Sequence, residues 1–161
     1  MTPMTIPRTV QWFRTFLETQ GPPMALSWLN SGVPHRFSAV YRLHDRRFEV
    51  LYLYDKQAEV VPAFLSVVPF ELSFCQFAFR DGSFTTDDSF ADRRLNGLPY
   101  QGIVISYHGA SIVDSAGEVI GTLCHFDTIR QLLPDTEFAL LQGAARAFPQ
   151  SLMHVGGQET L

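Results

Sequence analysis

Two cysteines and five histidines carry most of the reactive chemistry this sequence offers. Cys75 opens the segment Ser73-Phe74-Cys75 before a run of aromatic residues. A thiol at a helix N-terminus has its thiolate favoured by the dipole, which points to redox chemistry; the plainer reading is a small buried residue. Cys124 is followed directly by His125, in a stretch that alternates like a strand. Neighbours on a strand point to opposite faces, so a single site can use only one of this pair. His108, His125 and Asp127 have the residue types of a two-histidine, one-carboxylate metal set. Nothing in the sequence fixes their register, and the plainer reading is polar groups satisfied at a strand end. Tyr41, Tyr52, Tyr54, Phe74, Phe77, Phe79, Tyr100 and Tyr107 could wall a pocket for a planar ligand, or could fill the core. The tyrosines are the better pocket candidates, because a buried phenol needs a partner. Arg42 and Arg80 could hold an anion through a guanidinium fork, or could face solvent.

Composition narrows the classes. The chain has 161 residues and a mass of 18.2 kDa, the size of one domain. Apolar residues make up 46% and charged residues 17%, which excludes intrinsic disorder. The net charge is −4 and Lys56 is the only lysine, with no basic cluster, so a nucleic-acid partner is not expected. No run approaches the roughly 18 apolar residues of a membrane span, and Met1–Arg8 does not read as a signal peptide. Two cysteines make no disulfide framework and suit a reducing compartment. The expectation is a cytoplasmic single domain. No phosphate-binding G-x-x-x-x-G-K-[ST] loop, G-x-S-x-G elbow or H-E-x-x-H pair occurs, and no cofactor or metal is expected.

The elements that must position these residues follow from periodicity. Residues 8–20 read as a helix with Val10, Phe13, Phe16 and Leu17 on one face, stopped by Gly21-Pro22-Pro23. A second helix covers about 23–31. Arg36–Leu43 and Phe48–Asp55 read as a hairpin around His44–Arg47, with Phe48, Val50, Tyr52 and Tyr54 on one face. Lys56–Glu71, broken by Pro62 and Pro69, reads as a loop with one helical turn. Leu72–Arg80 reads as a short helix, Ser83–Asp87 as a strand, and Ser89–Leu95 as a helical turn capped by Ser89. Gly102–Val113 and Glu118–Asp127 form a second hairpin around Asp114–Gly117. Leu133–Phe148 is the last helix, and the tail from Gly156 is expected to fray. The order predicts an α+β layer arrangement with an antiparallel sheet.

Five segments in this order resemble bacterial GAF domains. Gly117-Glu118-Val119-Ile120-Gly121-Thr122-Leu123-Cys124-His125-Phe126-Asp127 is similar to a G-x-x-I-G-T-L-C-x-x-D strand of that family. Ser73-Phe74-Cys75, Asp87-Asp88 with Ala91-Asp92-Arg93-Arg94-Leu95, Ile105-Ser106-Tyr107-His108-Gly109-Ala110, and Asp135-Thr136-Glu137-Phe138-Ala139-Leu140-Leu141 match its other segments. The resemblance spans about residues 23–148 of a single domain. It implies a six-stranded antiparallel sheet with the N- and C-terminal helices on one face. Loops and short helices would close a pocket on the other.

It also implies recognition rather than catalysis. The expectation is a sensor domain that binds a small molecule through Phe74, Cys75, Tyr100, Tyr107, His108 and His125. It would dimerise through its terminal helices, by the stripe Phe13, Phe16, Leu17 against Phe138, Leu141, Phe148, and signal through a partner protein. One alternative is a diverged free-methionine-sulfoxide reductase using Cys75, although Ala91–Tyr100 lacks the further cysteine those enzymes carry. Cys75 and Cys124 are expected on different elements and too far apart to bridge. A second alternative is an interaction module with its pocket filled by its own side chains. A bilin reading of Cys124-His125 is disfavoured, because chromophore-attaching relatives place that pair on a helix.

Overall fold

The structure, a computed structural model, describes residues 6–59 and 65–153. Pro62, most of Met1–Arg8 and the tail from Gly156 lie outside the described residues. Helix α1 spans Val10–Gln20, and the Thr9 side chain accepts from the Trp12 amide. Gly21, at φ 87°, separates it from α2, Pro22–Asn30, which starts with proline where no intrahelical donor is needed. Arg8 ties this end together. Its guanidinium pairs with the largely buried Glu137 at 2.7 Å and donates to the Trp28 and Leu29 carbonyls at the end of α2.

Strands β1 (Phe37–His44) and β2 (Arg47–Asp55) are joined by Asp45 and Arg46, both at positive φ, the backbone of a two-residue type I′ hairpin. After them come β3 (Val67–Pro69), α3 (Cys75–Asp81), β4 (Ser83–Thr86), β5 (Ser106–Val113), β6 (Val119–Asp127) and α4 (Asp135–Ala147). The six strands form one antiparallel sheet in the order β3-β2-β1-β6-β5-β4. The α+β architecture expected from the sequence is therefore present.

Three local expectations change. The segment read as a loop contributes β3, whose three residues pair with Arg47–Glu49. Strand β5 starts at Ser106 rather than Gly102, because the Ile103 and Val104 amides turn back onto the Tyr100 carbonyl. Asp88 and Asp92, not Ser89, cap the two short turns at 89–95.

The sheet has two apolar faces. On one, Val40, Ala110, Ile112 and Leu123 pack against Phe13, Leu26, Leu29 and Leu141 of the helices. On the other, Phe37, Ala39, Tyr41 and Phe126 pack under Leu65, Phe74, Ala78, Leu95 and Val104. This corrects the proposed dimer stripe. Phe13, Leu17, Leu141 and Phe148 are buried within one chain, and Phe16 stacks on Trp28 at 5.3 Å. The apolar periodicity of α1 and α4 is used against the sheet.

Candidate functional site

Phe74, Cys75, Tyr100 and Tyr107, four of the six residues singled out from sequence, line one cavity on the face away from the terminal helices. Tyr41, Leu65, Val104 and Phe126 complete most of its wall. The wall is almost wholly apolar, and only about 40 Å³ is open to the centres of water-sized molecules. A water needs roughly 10–15 Å³ on this measure, so the space takes a few atoms as it stands. The Tyr41 hydroxyl donates to the Leu65 carbonyl at 2.7 Å and ties the cover to the sheet. Tyr52 and Tyr54 are absent from this wall. Leu51 is an extra residue in β2, opposite the Val40/Tyr41 step of β1. That bulge reverses the alternation, so Phe48 and Val50 face the cavity side while Tyr52 and Tyr54 face the helices.

A thiol cluster forms the floor. Gly109 has no side chain, and a Cβ there would meet the Tyr107 hydroxyl at 2.5 Å. The Tyr107 ring therefore lies along the strand over Gly109, and its hydroxyl donates to Cys75 Sγ at 3.2 Å. Thr122 donates to the same sulfur at 3.3 Å. Cys124 packs in the same buried cluster as Cys75, and its thiol donates to the Ala39 carbonyl at 3.8 Å. Burial opposes ionisation of both thiols. At Cys75 the donors outweigh it and the pKa falls below the usual thiol value; at Cys124 burial and the neighbouring sulfur push it well up. The two cysteines are on different elements, as expected, and lie in one buried cluster, close enough for each to shift the ionisation of the other.

His108 and His125 do not line the cavity. They pair directly across β5 and β6, on the same face as Ala110, Ile112 and Leu123. There they join His35, which the sequence reading did not single out. Asp87 Oδ1 lies 2.8 Å from His108 Nε2, and His108 Nδ1 lies 2.9 Å from His35 Nε2. An ionised carboxylate only accepts, so His108 carries its proton on Nε2 and accepts from His35 at Nδ1. That leaves His35 Nδ1 as a buried acceptor with no protein partner, and His125 Nε2 is likewise unpartnered. Asn30 donates to Ser38 Oγ at 2.8 Å, and Ser38 Oγ lies 2.6 Å from His125 Nδ1.

Lys56 closes the group. Its ammonium donates to the Asn30, Val33 and His35 carbonyls at 2.9–3.0 Å and to Asn30 Oδ1. Desolvation holds all three histidines below their usual pKa, with His35 brought to about 3. No periodic signal marks His35 or Asn30; only the singularity of Lys56 set it apart.

The conceived metal set is not assembled. Asp127 accepts from the Arg36 amide at 2.9 Å and from Gln131 at 3.0 Å. Among the described residues no group of three His, Cys, Asp or Glu side chains is disposed to hold a metal ion. Arg42 pairs with Glu49 at 2.9 Å, and Arg80 forks onto Asp81 at 2.8–2.9 Å. Among the described residues no helix is long and apolar enough to cross a membrane.

No family model and no curated protein matches the sequence. Solved structures do match in shape. The GAF domain of an Acinetobacter phosphoenolpyruvate-protein phosphotransferase superposes with a TM-score of 0.70 at 11% identity, covering 89% of each chain. The free methionine-R-sulfoxide reductase of Neisseria meningitidis, solved with its substrate, gives 0.67 at 10% identity over 95% of this chain and 91% of its own. The chromophore-binding domain of a bacteriophytochrome from R. palustris gives 0.66 at 12% identity over 86% of this chain and 57% of its own. Domains with different printed activities thus superpose on most of this chain, and what they show for it is the GAF fold.

Proposed function

We propose that this chain is a non-enzymatic, cytoplasmic regulatory GAF domain. It holds a small apolar or aromatic molecule beneath residues 65–104 and passes the bound state to a partner protein or a second copy. The cavity walled by Phe74, Tyr100 and Tyr107 over a rigid sheet carries this reading. Its present volume takes only a few atoms, so a larger ligand enters by lifting the cover that Tyr41 ties down. The test is a thermal-shift screen of amino acids, nucleobases, indoles and tetrapyrroles on the wild type and on Val104→Trp, which fills the space from one wall. A ligand that raises Tm in the wild type and not in Val104→Trp supports the reading. Equal shifts in both, or no shift from any compound, refute it.

A reductase is the second reading, favoured by the burial of Cys75 and Cys124 in one cluster and by reductases among the matching folds. Turnover of free methionine sulfoxide with a thiol reductant, lost in Cys75→Ser, would establish it in place of the first.

A further inference from the structure

The thiol cluster has a consequence that needs no organic ligand. We infer that Cys75 and Cys124 form a peroxide-reactive thiol–disulfide couple, with Cys75 the attacking sulfur and Cys124 the resolving one. Geometry sets the roles. Cys75 lines the cavity, and Cys124 lies behind it, fully enclosed, among Ala39, Thr122 and Tyr107. Two hydroxyl donors, Tyr107 and Thr122, converge on Cys75 Sγ at 3.2 and 3.3 Å. A buried sulfur that accepts two hydrogen bonds is placed to carry negative charge, and the lowered Cys75 pKa agrees with that placement. Tyr107 keeps its proton, because burial pushes its pKa well up, so it remains a donor at neutral pH.

The cavity sets the substrate class. With about 40 Å³ open to the centres of water-sized molecules, the closed cavity admits hydrogen peroxide, little larger than water, whereas a bulky organic hydroperoxide needs the cover lifted first. The Cys75 thiolate attacks one peroxide oxygen and the O–O bond breaks. The departing hydroxide takes a proton and leaves as water, and Cys75 becomes a sulfenic acid. The Cys124 thiol then attacks that sulfur. A sulfur–sulfur bond forms, the S–O bond of the Cys75 sulfenic acid breaks and its hydroxide leaves with the thiol proton as a second water, and the net change is two thiols and one peroxide to one disulfide and two waters. A small dithiol returns the pair to the reduced state by exchange. The disulfide draws the start of α3 toward β6 and removes the acceptor of the Tyr107 hydroxyl, so the oxidation state is written into the wall of the cavity.

The experiment uses the full chain, reduced, desalted and exposed to hydrogen peroxide at neutral pH, then denatured, alkylated with N-ethylmaleimide and weighed intact. The expected result is a monomer two hydrogens lighter that takes no maleimide and recovers both sites after dithiothreitol. With Cys124→Ser, dimedone added together with the denaturant should label Cys75; with Cys75→Ser, Cys124 should stay reduced. Tyr107→Phe keeps both thiols and should move the midpoint of the pH–rate profile up by about one unit, the effect of one lost hydrogen bond to a charged sulfur. Two maleimides on the peroxide-treated wild type, dimedone on Cys124 in place of Cys75, or a crosslink only between chains would overturn the inference. Methionine sulfoxide is absent throughout, so this outcome is separate from that of the reductase reading, and no organic ligand is present.

Discussion

The three buried histidines make a quantitative prediction about acid. His35, His108 and His125 are enclosed between the sheet and the helices, and the other charged groups acting on them are Lys56, Arg8 and Asp87. His35 binds a proton near pH 6.5 in the unfolded chain but only at about 3 when folded, because burial, His108 and Lys56 all disfavour its charge. The unfolded chain therefore binds more protons between those values. The stability owed to a neutral His35 is fully present above pH 6.5 and is lost as pH falls toward 3. At pH 5, about 1.5 units into that window, the loss is about 2 kcal/mol at 1.36 kcal/mol per unit. His108 and His125 shift in the same direction and add to it. Against a typical total of about 5–15 kcal/mol this is a large share. The paired carboxylates Asp55 and Asp92 are held below their ordinary value of 3.8, so they are still ionised at pH 5 and do not blur the result.

Urea unfolding at pH 7.5, 6 and 5 measures the effect on the wild type and on His35→Gln, whose amide keeps a donor for His108 but does not titrate. The wild type should lose at least about 2 kcal/mol between pH 7.5 and 5, and His35→Gln should lose about 2 kcal/mol less. Parallel stability–pH curves for the two proteins would refute the assignment, and a wild type more stable at pH 5 than at 7.5 would reverse its sign.

Two further outcomes follow from contacts in the sheet. Gly121→Ala should destabilise by more than about 2 kcal/mol, read by urea unfolding, because its Cβ would collide with the Tyr41 backbone carbonyl, which cannot swing away as a side chain can. Tyr41→Phe removes the hydroxyl that holds the Leu65 carbonyl; it should cost about 1–2 kcal/mol and raise the rate of limited proteolysis within 65–74 by roughly fivefold or more, while equal cutting of both proteins would show that this bond does not hold the cover.

Much of the fold was legible because its strongest signals are local. The I′ turn at Asp45-Arg46 and the glycine at 117 mark two hairpins, and α1 and α4 show their stripes directly. The β3 strand was not legible: three residues ending in Pro69 leave almost no alternation, and the pairing with Arg47–Glu49 is tertiary. The bulge at Leu51 was equally silent, and it is what moves Tyr52 and Tyr54 away from the cavity. The misplacement of His108 and His125 is of another kind. Tyr107 and His108 are neighbours in β5, as Cys124 and His125 are in β6, so alternation already forbids all four from sharing a face.

Applied strictly, that rule explains why the two polar groups sit back to back. The pair His108↔His125 turns toward the helices, where His35, Ser38 and Asn30 form a buried polar group with it. One residue further along β5, Gly109 faces Cys124 on the opposite side. The missing side chain at 109 makes the room that the Tyr107 ring fills, and only with the ring lying there does its hydroxyl reach the sulfur of Cys75. The thiol site thus depends on a glycine beside it as much as on its cysteines, and a larger residue at 109 would dismantle it without touching either sulfur.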